Sequence, residues 1–156
     1  MTPVQYHFRT DWIFKAELER VWSVITDIEQ YPAIWPDFRK IQIRKGDGRS
    51  VGSVFDCTVR GALPYSLNYS MEVIRAEEPH RIELSATGDL VGSGRWEFSS
   101  PRPNKSLATY YWDVGTTNPI LNLLAPLARG FFAKNHNDVM ARGYTALGRR
   151  IETQAS

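Results

Sequence analysis

The sequence predicts an α+β fold, a curled antiparallel sheet of about seven strands wrapped around one long C-terminal helix. Three observations lead there. Pro126–Thr153 carries Phe132, His136, Met140, Gly143, Leu147 and Ile151 at three- and four-residue spacings, so they share one helical face. The hundred residues before it alternate apolar and polar side chains, as strands with one wet face do. The connections between these runs are too short for parallel crossovers, which need a dozen residues or more.

The elements follow in order. Tyr6–Phe14 alternates, with Tyr6, Phe8, Thr10, Trp12 and Phe14 on one side and His7, Arg9 and Asp11 on the other. From Glu17 the period becomes helical through Leu18, Val21, Trp22 and Ile25, with Glu17 and Glu19 placed favourably near the helix N-terminus. Ile28–Phe38 is broken by Pro32 and Pro36 and reads as one or two short turns that pack aromatics. Strands are then expected at Ile41–Lys45, Val54–Arg60, Tyr65–Ala76, Arg81–Thr87, Leu90–Ser99 and Leu107–Thr116, with Pro101–Lys105 between the last two. In Asn118–Pro126, Asn118 can cap a helix and Pro119 suits its first position, while Pro126 kinks or restarts the chain. The apolar stretch Ile120–Leu124 suits either a flap over the mouth of the sheet or a plain packed turn. The terminal helix runs about 42 Å at 1.5 Å per residue. Its wet face carries Lys134, Asp138, Arg142, Thr145, Arg149 and Glu152, with Lys134–Asp138 and Asp138–Arg142 expected to pair.

One strand face collects Phe55, Cys57 and Val59, then Leu67, Tyr69, Met71 and Val73, then Ile82, Leu84 and Ala86. It continues through Gly92, Gly94, Trp96 and Phe98 to Ala108, Tyr110, Trp112 and Val114. Arg60, Glu72, Glu83, Arg95 and Glu97 fall on the other. Seven strands span roughly 34 Å, against a helix about 10–12 Å across, so a flat sheet would leave apolar surface in water. The sheet has to curl, and curling around a rod leaves space between rod and wall. We read Gly92 and Gly94 as permitting the bend; vacating volume is the other use of a glycine there.

Composition narrows the function classes. The 156 residues read as one domain, 1–156, large enough for a real core. Basic residues exceed acidic ones by only two and form no stripe, which argues against nucleic acid. Cys57 is the only cysteine, so an internal disulfide and a cysteine-rich zinc site are excluded. With no signal-like start and no apolar run near 18 residues, a soluble, cytoplasmic protein is expected. His7, His80 and His136 lack metal-ligand spacing, and neither a metal nor a cofactor is expected. Gly46-Asp47-Gly48 is a hairpin turn rather than a phosphate cradle, and Cys57 has no base near it in sequence.

His136 is the candidate for chemistry, because it points inward. A general base usually needs a second group to hold its tautomer. Phe132, Ala133, Val139 and Met140 beside it on the helix cannot do that, whereas Tyr69, Tyr110, Asn135 or a backbone carbonyl could. A structural histidine is the leading reading, ahead of a polar anchor for a ligand and of a catalytic base. Gly143 has two readings: a strand or ring presses on the helix backbone, or the missing side chain leaves room for a ligand. We take the second as the expectation.

The order of elements resembles the START-like, or polyketide cyclase/dehydrase-like, helix-grip superfamily. The resemblance rests on Val21-Trp22, the Asp27…Tyr31-Pro32…Trp35-Pro36 stretch, Gly61-Ala62-Leu63-Pro64-Tyr65, the run from Thr87 to Trp96, and Asn135–Met140 on the helix. It implies an apolar pocket between sheet and helix. Phe55, Cys57, Tyr69, Trp96, Tyr110, Trp112, Phe132, His136, Met140 and Gly143 are the expected ligand-binding residues. The expected function is binding or carriage of a small hydrophobic ligand, lipid-like or polycyclic, with transient membrane contact through Ile120–Leu124. The alternative is a polyketide aromatase/cyclase or dehydratase acting on a bound poly-β-ketone, with His136 or a tyrosine moving protons.

Overall fold

A computed structural model of the chain describes residues 5–63, 65–117 and 125–153, with side chains of the last stretch described from residue 129. The apolar connection, with its Asn118 cap and its flap or membrane contact at Ile120–Leu124, lies outside the described residues. Strand β1 (Gln5–Phe14) is followed by helix α1 (Leu18–Ile25), a 3-10 turn (Ile28–Gln30) and a single-turn helix α2 (Tyr31–Ile34). Then come β2 (Phe38–Lys45), β3 (Val54–Val59), β4 (Leu67–Glu77), β5 (Arg81–Gly88), β6 (Leu90–Arg102), β7 (Lys105–Thr116) and the long helix α3 (Ala125–Thr153).

The strands form one seven-stranded sheet in the order β1-β7-β6-β5-β4-β3-β2, antiparallel at every pairing. Its register is the one the alternation demands. Trp96 and Phe98 are buried, while Glu97 between them is ion-paired to Arg95 on the outer face. A slip of one residue would have inverted every side chain. The main departure is at the β6–β7 hairpin. Both strands run on to Arg102 and Lys105, closing a tighter turn at Pro103-Asn104. Asn104 turns the chain with φ 56°, a conformation its short side chain tolerates. Strand β4 also starts at Leu67 rather than Tyr65, and β2 begins at Phe38, three residues earlier than expected.

The two inner-face glycines serve different ends. Gly92 sits at φ 153°, and a Cβ there would lie 2.0 Å from the Asp113 carbonyl oxygen, so its role is the path of the backbone. A Cβ on Gly94 would instead meet the Tyr110 hydroxyl at 2.6 Å and the Trp112 ring at 3.0 Å. That glycine vacates volume for neighbouring rings, which corrects the expectation for it.

Helix α3 is fastened chiefly at its C-terminal half. Leu147 and Ile151 are fully buried, and the Tyr144 hydroxyl donates to the Ile13 carbonyl at 2.7 Å. The Lys15 amide donates to Glu152 Oε1 at 2.8 Å. Lys134 and Asp138 pair at 2.7 Å as expected. Arg142 does not pair with Asp138; it holds Asp37 by two hydrogen bonds of 2.8 Å. Asp37 is buried and sits just after α2, so tertiary packing offers the guanidinium a planar carboxylate in the bidentate geometry that an i,i+4 neighbour cannot match. No helix among the described residues is long and apolar enough to cross a membrane.

Candidate functional site

Between the N-terminal half of α3 and the inner face of the sheet lies a cavity of about 110 Å³. Of the residues expected to bind ligand, Tyr69, Trp96, Tyr110, Trp112, Phe132, His136 and Met140 line it. Phe55 and Cys57 line a second cavity of about 70 Å³, which shares Tyr31, Phe38, Tyr69, Trp96 and Tyr110 with the first. These five side chains form the partition between the two spaces.

Gly143 lines neither cavity. A Cβ there would lie 2.3 Å from the Trp35 ring, whose Nε1–H donates to the Val139 carbonyl at 3.0 Å. Gly143 is therefore the point at which an indole presses on the helix backbone, and the expectation of ligand space at this depth is corrected. Trp35 closes that end of the cavity. Beyond it the helix packs solidly on α1 and β1; before it, from Phe132 to Met140, the helix is the cavity wall.

Sequence reasoning missed Tyr31, Trp35 and Phe38 as wall residues. Their spacing of four and three was a readable signal, since it puts three rings on one side of a broken helix. The prolines drew attention to where the helix breaks instead. In the structure Trp35 and Phe38 pack edge to face at 4.7 Å, and Tyr31 lies 5.2 Å from each. The Tyr31 hydroxyl donates to the Ile25 carbonyl, which ties the segment to the end of α1.

The polar groups of the cavity differ in what satisfies them. Asn135 Oδ1 accepts from the Ala62 amide at 2.8 Å and so docks the loop after β3 on the helix. Tyr69 shares a hydrogen bond with Cys57, and burial pushes the thiol up to about 12, so Cys57 is no nucleophile at neutral pH. Burial also raises the Tyr110 phenol well above its ordinary range, reinforced by Tyr31 and Cys57, with no hydrogen bond to offset it. His136 stacks on Phe8 with ring centres 3.9 Å apart, and its buried Nε2 has no partner among the described residues. Desolvation lowers its pKa to about 4, so the ring is neutral at pH 7. None of the partners considered for it holds its Nε2.

This geometry coincides with a sequence match. Residues 5–152 fit the model of the family described as polyketide cyclase / dehydrase and lipid transport. The chain belongs to that family. Solved structures agree with this family's fold. The Zhui aromatase/cyclase from Streptomyces sp. R1128 is 19% identical with a TM-score of 0.76, over 95% of this chain and 94% of that one. A START superfamily protein from Mycobacterium smegmatis is 20% identical with a TM-score of 0.74, over 95% and 98%. A norcoclaurine synthase from Thalictrum flavum is 18% identical with a TM-score of 0.66, over 100% and 99%. At such identities the likeness establishes the helix-grip fold for this family member. A search of curated proteins returned no match.

Proposed function

We propose that this protein binds or carries a small hydrophobic molecule, held in the cavity between the sheet and the N-terminal half of α3. The observation that carries the reading is the wall itself, a ring-rich apolar surface with a few scattered polar groups, the usual make-up of a small-molecule site. Rings suit such a wall better than a long acyl chain does, because flat faces and edges offer matched aromatic contacts. The family's cyclase members supply the other reading, in which His136 moves protons on a bound poly-β-ketone. A base whose conjugate acid has a pKa near 4 is weak at pH 7, and nothing on the described residues holds its tautomer. That supports binding over catalysis. The reading also takes the protein to be cytoplasmic, with Ile120–Leu124 touching membranes transiently to load or unload.

Native mass spectrometry of the gently purified protein tests the proposal. A bound apolar compound, released on denaturation, is the expected result. A protein that stays empty and also fails to bind any apolar fluorescent probe would overturn it. Co-sedimentation with lipid vesicles, lost in Leu121→Ser/Leu124→Ser, tests the membrane contact separately.

A further inference from the structure

The charge of the occupant can be argued further, on the proposed reading that this cavity is a binding site. Among the described residues, neither cavity has a Lys, Arg, Asp or Glu in its wall. The nearby Asp37 carboxylate and Arg142 guanidinium already satisfy each other through two hydrogen bonds. An ion entering this space would therefore lose its water and gain no countercharge from the wall, the nearby Arg129 lying outside it over the Tyr6 ring and donating to the Gln5 carbonyl. What the walls do offer is hydrogen-bonding capacity: the Tyr110 hydroxyl on the sheet side and, on the helix side, His136 Nε2, which has no partner among the described residues. Volume sets the scale. With about 110 Å³, and a second space of about 70 Å³ that shares five of its wall residues, the site is on the scale of an engineered apolar cavity of about 150 Å³ that admits benzene.

We propose that the cavity selects an uncharged aromatic molecule of about one ring that carries a hydrogen-bonding oxygen, and that it rejects carboxylates, free fatty acids included. The oxygen pairs with Tyr110 or His136; a phenol or alcohol fits either, because its hydroxyl both donates and accepts. The neutral imidazole adds no positive charge to the wall, so it offers a carboxylate no ready ion pair.

Isothermal titration of the intact protein at pH 7 with two shape-matched pairs of probes tests this: p-xylene with p-cresol, and p-toluamide with p-toluate. p-Toluamide and p-toluate differ in charge at nearly constant shape, and the amide is expected to bind at least about 100-fold more tightly. Comparable binding of p-toluate and p-toluamide would overturn the charge rule without touching the proposed site. In Tyr110→Phe or His136→Phe the preference for p-cresol over p-xylene is expected to shrink about 5-fold. An unaltered preference in both variants would overturn the role of the oxygen. The charge comparison needs only the wild-type protein, so a variant that fails to fold does not remove the test. Leu90→Trp, which fills the cavity, is expected to abolish p-cresol binding. If it does not, or if no neutral probe binds, the cavity is not the binding site, and this inference falls with the reading beneath it.

Discussion

His136 and Gly143 lie seven residues apart on one helix face, and their surroundings give them opposite sensitivities. The His136 ring is half-buried, with Nε2 fully so, and neutral, with a pKa of about 4 against about 6.5 for an exposed imidazole. The unfolded chain takes up the proton first, so stability is lost as pH falls from about 6.5 towards 4, by about 3 kcal/mol in total. His136→Gln removes this dependence. Melting temperatures from pH 7 to 4.5 are expected to fall more steeply for the wild type than for the variant. The carboxylates held low by hydrogen bonds, such as Asp56 and Glu83, titrate alike in both proteins and cancel. Gly143 is sensitive to bulk instead. Gly143→Leu drives a side chain into the Trp35 ring and is expected to destabilise by about 1–3 kcal/mol, measured by denaturant midpoint. A rise in stability would mean that Trp35 can vacate the site and that the space is open after all.

At the scale of elements, the segment from the 3-10 turn to the start of β2 acts as an end wall, and its fastening to α3 matters more than its own helicity. A four-residue helix has little intrinsic stability. What holds α2 is Trp35 against Gly143 and the Asp37–Arg142 pair, in which Arg142 is 44% and Asp37 6% exposed. Arg142→Met strands a buried carboxylate and is expected to cost about 1–2 kcal/mol, less than a fully buried pair because water still reaches the guanidinium. Adding Asp37→Asn should recover part of that loss. A chemical-denaturation double-mutant cycle measures the coupling, and a value near zero would show the link to be incidental. Loss of the latch should also speed hydrogen exchange at Phe38–Ile41 before it affects β5 or β6.

Across the whole molecule, one long helix serves as both structural rod and cavity wall. Its C-terminal half is pinned by Leu147, Ile151 and Tyr144, which leaves the N-terminal half to span the curl of the sheet without filling it. Stability and binding should therefore separate along the helix. Leu147→Ala is expected to destabilise by about 2–5 kcal/mol while leaving ligand affinity of the folded fraction intact. Met140→Ala should cost less, because its side chain already borders empty space, and should alter affinity. Thermal melts with and without an apolar probe distinguish the two. Equal losses of both properties at both positions would mean that the helix is one packing unit.

The sequence by itself determined the sheet, its antiparallel order, which face of each strand is dry, and the inward stripe of α3. These are written as periodicities of two and of three to four residues, and a buried face leaves such a pattern no second register. It also determined most of the cavity wall, since any inward ring from β4, β6 or β7 faces whatever space the curl leaves. Tertiary structure decided the remainder. Whether Gly143 made room for a ligand or for Trp35 depended on a residue 108 positions away, brought there by the fastening of α2. Whether Arg142 paired with Asp138 or Asp37 depended on which carboxylate stood in the plane of its guanidinium. His136 reads as inward from spacing alone, but its stacking on Phe8 and its unpartnered Nε2 come from the strand opposite. Periodicity places a side chain on a face; only the contacts across that face decide what it meets there, because packing is a property of both surfaces at once.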